Sequence, residues 1–154
     1  MAAGSGYVRP VVMLEFGARS TGEPWESRSV TSDVLWKLDV YRAALFLLHV
    51  SRSDCRTIHA ASPSEGVAEQ LTRAAGSICA NLAEGYSRST TTDRLRFFAY
   101  ALGSTRESVV WYQGASDTLA HDLIEERLQL LTRIRSLLLG LIRSLRAKRP
   151  RVDS

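Results

Sequence analysis

Two carboxylates and one arginine, Glu84, Glu107 and Arg106, are the groups in this chain that could together do acid-base chemistry: one acid to give a proton, one base to take it, and a cation to steady the charge between them. No nucleophile, ligand set or third group accompanies them at a recognisable spacing. Arg106 falls near an apolar helical stripe, so a structural ion pair with Glu84 is the favoured reading over catalysis. His49 and His59 lack the further ligands a metal would need. The second available chemistry is phosphate binding. Arg73, Arg88, Arg94 and Arg96 occupy the middle of the chain, and Arg143, Arg146, Lys148, Arg149 and Arg151 its end. Arginine's planar fork suits phosphate, and a cationic tail attracts it. The terminal cluster has no interleaved aromatics, so contacts to the nucleic-acid backbone rather than to bases are expected there. The competing reading is a solvated terminus whose cations complement a helix end.

The elements that position these groups are helices. Leu71, Ala74, Ala75, Ile78 and Leu82 recur at i, i+3, i+4 spacing with Ala, Ser and Gly between them, predicting a helix from about Gly66 to Ala83 that a neighbour can approach closely. Asn81 reads as a pin at the stripe's margin. Gly85 reads as a left-handed helix-ending residue. Thr90-Thr91-Thr92-Asp93 is a capping sequence for the next helix, to about Leu119, with Leu95, Phe98, Leu102, Thr105, Val109 and Tyr112 inward and the Gly103-Ser104 pair in close contact with the helix before.

An earlier helix is expected from Ser32 or Asp33 to about Ser51, with Val34, Leu38, Tyr41, Leu45 and Leu48 inward. Arg52 to Gly66 reads as a polar loop leading to a helix start at Ser62-Pro63-Ser64-Glu65. The last helix runs from Leu123, capped by Asp122, to about Arg146. Its core line is Leu123, Leu130, Ile134, Leu137, Leu141 and Leu145, and Leu128, Leu131, Leu138, Leu139 and Ile142 widen it. The rear face of the first helix is apolar too, so an oligomer interface is expected at Trp36, Val40, Leu47, Leu128, Leu139 and Ile142, with Trp36 alternatively a lid on the subunit's own core. Residues 1–31 hold scattered Gly and Pro and read as an irregular leader, residues 32–147 as the bundle, and 148–154 as a basic tail.

The 154 residues fit one domain. A formal charge of +4 is compatible with an acidic partner without demanding one. Of 20 basic residues only Lys37 and Lys148 are lysines, which a GC-rich genome would also produce. Cys55 and Cys79 show no metal or redox spacing; two reduced thiols in a cytoplasmic protein are favoured over a disulfide between them. Leu137 to Ile142 is far too short for a membrane span. No cofactor motif is present.

Gln-Leu-x-Arg-Ala-Ala-x-Ser-Ile at 70–78, Asn-Leu-Ala-Glu-Gly-Tyr-x-Arg at 81–88 and Arg-Phe-x-x-x-Ala-Leu-Gly-Ser at 96–104 resemble the bacterial 23S rRNA-intervening-sequence proteins, over roughly Asp33 to Leu145. The resemblance implies an all-α, antiparallel up-down four-helix bundle, a ring-like homopentamer, and acidic motif positions at Glu84 and Glu107. It also implies a nucleic-acid-linked role akin to the accessory proteins of diversity-generating retroelements. The expected function is a non-enzymatic oligomeric scaffold holding RNA or DNA through arginine, which could include assisting a reverse transcriptase; the alternative is a protein–protein adaptor whose arginines serve only solubility.

Overall fold

The computed structural model describes residues 28–62 and 66–148. A helical turn at Arg28–Thr31 and a 3-10 turn at Val34–Lys37 lead into four long helices, α1 Asp39–Ala61, α2 Val67–Ser87, α3 Thr91–Gly114 and α4 His121–Ala147. Short joints make consecutive helices antiparallel neighbours, and contacts across each seam agree. Thr72 of α2 meets Cys55 of α1, Ser104 of α3 meets Ser77 of α2, and Thr105 and Val109 of α3 share a recess with Arg135 and Leu131 of α4. The all-helical up-down bundle expected from the sequence is what the chain forms.

The first helix differs from expectation in its start, length and rotation. Asp33 caps only the 3-10 turn, accepting from Leu35 N at 2.8 Å, and extended backbone at Leu38 separates that turn from α1. The helix then runs through the polar stretch expected to be a loop, because Arg52 to Ala61 contains no Gly or Pro and Ser51, Asp54 and Ile58 continue the buried spacing of Val40, Ala43, Ala44 and Leu47. The inward face is therefore the one expected to face a partner. Leu38, Tyr41, Leu45 and Leu48 lie half-buried at the core's margin, and Val34 is exposed. Trp36, Val40 and Leu47 are buried within the single chain. Covered by their own chain, they leave little surface for a second copy, and the Trp36 carbonyl accepts from Arg42 of α1.

Residues 63–65 lie outside the described residues, and α2 begins after Gly66, whose φ of +70° is a conformation glycine adopts cheaply. Leu71, Ala74, Ala75, Ile78 and Leu82 are buried as their spacing predicts. Gly85, expected to end the helix in a left-handed conformation, is instead an ordinary helical residue. Its reason is spatial: a Cβ there would stand 2.7 Å from Cε1 of Phe98. The close approach expected of the Gly103-Ser104 pair is made by Ser104, whose hydroxyl donates to Ser77 Oγ at 2.9 Å, whereas a Cβ at Gly103 would meet nothing within 4 Å.

Thr90 caps α3 as read from the sequence, accepting from Asp93 N at 3.1 Å and donating to its carboxylate at 2.7 Å. The helix stops at Gly114, before the expected Leu119. Its buried hydroxyls, Thr105 and Ser108, donate to carbonyls one turn back and so cost little inside the core. The last helix starts at His121 without a side-chain cap, so Asp122 is a first-turn acid rather than the cap. Leu131, Leu138 and Ile142 are core residues of α4 alongside Leu130 and Ile134. That removes Ile142 from the expected interface, leaving half-buried Leu128 and exposed Leu139.

Two glycine substitutions separate packing from propensity. Gly85→Ala should destabilise by ~1–3 kcal/mol through overpacking against Phe98, whereas Gly103→Ala should stabilise by ~0.5–1 kcal/mol. Denaturant unfolding of both variants checks this, and equal midpoints for Gly85→Ala and the parent would refute the close contact.

Candidate nucleic-acid interface

Antiparallel order carries the end of α2, the start of α3 and the end of α4 to one end of the bundle. Arg88, Arg94, Arg96, Arg143, Arg146 and Lys148 therefore gather there, joined by Lys37 and Arg42 from the entry to α1. The opposite end carries Asp54, Glu69, Asp117, Asp122, Glu125 and Glu126, with Arg52, Arg56, Arg73 and Arg127 as basic exceptions. Asp33, Asp39, Glu84 and Asp93 also lie at the basic end, so the axis carries an excess of cations at one end and of anions at the other. Arg73 lies fifteen residues before Arg88 on α2, ~22 Å away along the helix, and its Nη1 donates to Gln70 at 3.2 Å. It does not join the other arginines. Arg149 and Arg151 lie outside the described residues.

The corner between α2 and α3 is the best-defined part of the basic end. Arg88 pairs with Glu84 one turn back, and Arg96 with Asp93 at 3.1 Å. Both guanidinium groups also stand over the Phe97 ring, 4.9 and 5.4 Å from its centroid. Arg94 donates from Nε to the Arg88 carbonyl at 2.7 Å, tying the two helix ends together. Tyr100 meets Phe97 edge-on, centroids 5.9 Å apart at 88°. These aromatics were not singled out from the sequence; their spacing of three on the helix that carries Arg96 was the available signal.

The acid-base grouping does not assemble. Glu84 is committed to Arg88. Arg106 is exposed rather than partly buried, lining a shallow recess of about 110 Å³ with Thr105, Val109, Leu131, Thr132 and Arg135. Glu107 accepts a long bond from Trp111 Nε1 at 3.4 Å. The recess offers two cations and no base. Asn81 is a pin as expected, donating from Nδ2 to the Ser77 carbonyl and hydroxyl at 2.9 and 3.0 Å. Among the described residues no group of three or more His, Cys, Asp or Glu is arranged to hold a metal, and no helix is long and apolar enough to cross a membrane.

A buried polar triad near the acidic end escaped the sequence reading altogether. Asp54 of α1 accepts from Tyr112 of α3 at 2.7 Å and from Arg127 Nε of α4 at 2.8 Å, with a second Arg127 contact at 3.4 Å. The aspartate is 4% and the arginine 13% exposed. Burial opposes the arginine's charge, but the hydrogen bonds and charge of Asp54 more than offset it and hold the Arg127 pKa above its usual value. Burial and the neighbouring Asp54 charge push the Tyr112 hydroxyl up. Cys55 and Cys79 are separate buried thiols, and burial pushes Cys79 up to about 12.

The family model described as 23S rRNA-intervening sequence protein matches residues 37–140. Among solved structures, the chain resembles a protein of unknown function from the S23 ribosomal protein family of Bacteroides thetaiotaomicron. The two share 20% identity at a TM-score of 0.63, with 68% of this chain and 95% of the other covered. At that identity the likeness concerns the fold. No curated protein matches the chain.

Removing the acid of the triad should strand its cation: Asp54→Ala is expected to cost ~3 kcal/mol in denaturant unfolding, and Asp54→Leu combined with Arg127→Met to recover most of it. A double variant no more stable than the single would show that the cost has another origin. Alkaline stability follows from the raised groups. The folded chain keeps Cys79 protonated from pH 9.0 to about 12, so its contribution is complete below 9 and disappears as pH rises through that window. Each such group steepens the loss by up to ~1.4 kcal/mol per pH unit. Cys79→Ala should flatten the decline between those limits in denaturant titrations at stepped pH.

Proposed function

The chain belongs to the 23S rRNA-intervening sequence protein family, and from that premise we propose that it is a non-enzymatic helical scaffold that holds nucleic acid through arginine contacts to phosphate. The observation that carries this reading is the net excess of cations at one end of the bundle. Exposed Arg143, Arg146 and Lys148 share one end of the bundle with Arg88, Arg94 and Arg96, where cations outnumber the acids Asp33, Asp39, Glu84 and Asp93, while acids outnumber cations at the other. A polyanion meeting that end releases counterions from its own backbone, which favours binding whatever its sequence. The contacts are to phosphate, so RNA and DNA are both substrates of this surface.

The scaffold is proposed to act in the cytoplasm as a homo-oligomer, the ring-like pentamer implied by the family resemblance. Leu128 and exposed Leu139 fall on one face of α4 with Thr132 and Arg135, beside the recess shared with α3. This face is where a second copy would seat, in place of the buried Trp36, Val40, Leu47 and Ile142. It also favours the second reading, a protein–protein adaptor. A reverse transcriptase would be a partner of either form.

Binding of labelled RNA at stepped salt tests the main reading. Each phosphate neutralised on a single strand contributes ~0.7 to the fall of log K with log salt. Replacing Arg94, Arg143 and Arg146 together by Ala should reduce that slope by about 2, while Arg73→Ala leaves it unchanged. Absence of affinity at low salt, or an equal loss from Arg73→Ala, would remove the proposal and leave the adaptor.

A further inference from the structure

Tyr100 stands on the outer face of α3 with 53% of its surface in water. Its ring is nonetheless oriented, because Phe97 braces it edge-on and Phe97 is itself held beneath the guanidinium groups of Arg88 and Arg96. One turn further along the same face is Gly103, where an added Cβ would meet nothing within 4 Å. A glycine in mid-helix costs ~1 kcal/mol relative to alanine, and among the described residues nothing packs against this one to require it. Its effect is a notch of bare backbone beside the free part of the Tyr100 ring. Arg96, paired with Asp93 at 3.1 Å, lies one turn to the other side of Tyr100, and half-exposed Arg94 donates from its Nε to the Arg88 carbonyl.

We propose that Tyr100, with the Gly103 notch beside it, is a stacking platform for an unpaired base of a single-stranded nucleic acid whose flanking phosphates are held by Arg94 and Arg96. Stacking on an aromatic ring accepts every base, because each has a π-face, so the platform selects single strands over duplex without selecting sequence. A duplex keeps its bases stacked on one another and can meet only the arginines. This inference rests on the phosphate-binding reading above and adds to it the preference for unpaired strands.

The test uses the full chain with two labelled probes, oligoadenylate as a single strand and the same strand annealed to oligouridylate. Tyr100→Ala and Gly103→Leu, the latter filling the notch, should each weaken single-strand binding by about fivefold or more with an unchanged salt slope, and should leave duplex binding as it was. Tyr100→Phe keeps the π-face and should bind like the parent. The replaced side chains point into open space, and circular dichroism confirms that the variants keep the bundle. Single-strand affinity unaltered in both Tyr100→Ala and Gly103→Leu overturns the platform and leaves the phosphate reading standing, provided that the parent binds. A parent that binds neither probe overturns both. If Gly103→Leu instead changes the sedimentation of the free protein, this face is a contact between copies and the platform is likewise refuted.

Discussion

Helices α2 and α3 meet so closely at Gly85 that the contact leaves no room for a single methyl group. Phe98 lies on the bare backbone there and is almost wholly buried. Its neighbour Phe97 is consequently turned outward, because adjacent residues on a helix point ~100° apart. From that one placement follow the stack of Arg88 and Arg96 on Phe97, the bracing of Tyr100 and the tie from Arg94 to the Arg88 carbonyl. The basic corner is thus a consequence of core packing, although every group in it reaches solvent.

The far end is fixed by a different interaction. Asp54, Tyr112 and Arg127 come from three helices, so a bundle whose seams otherwise hold apolar side chains and the neutral contacts Thr72–Cys55 and Ser104–Ser77 acquires a charged point where register matters. Apolar side chains tolerate sliding and repacking; a buried carboxylate that must meet a phenol and a guanidinium does not. Nothing in the recess between α3 and α4 repeats this arrangement, since its two arginines face a lining without acids.

What was legible in the sequence was set by whether a signal was local. The α2 stripe, with large residues on one side and small ones between, permits one orientation, and Thr90 with Asp93 forms a cap within four residues. The first helix has apolar residues on two faces, so the choice between Leu45 and Leu47 as core was made by the packing of α2 and α4 and not by α1 itself. Asp54 and Ile58 lie in a stretch whose polarity reads as a loop although their spacing continues that of Leu47 and Ser51. Asp54 and Arg127 are 73 positions apart, a pairing that no spacing rule reaches. Gly85 has the same local look whether it ends a helix or admits a ring from the next one. The candidate site was half visible: the arginines could be enumerated, but their gathering at one end required the topology, and the loss of Arg73 from the group required it too.

The excess of cations at one end of the bundle and of anions at the other gives the molecule a permanent electric moment with a component down its long axis. Such a body experiences a torque in the field of any extended polyanion before the two touch, and the torque acts over the Debye length of ~8 Å at physiological ionic strength. Encounters are sorted by angle as well as by distance, end-on approaches being favoured and sideways ones turned. The ionic strength of the surroundings therefore governs how the molecule arrives, apart from how firmly it is held afterwards.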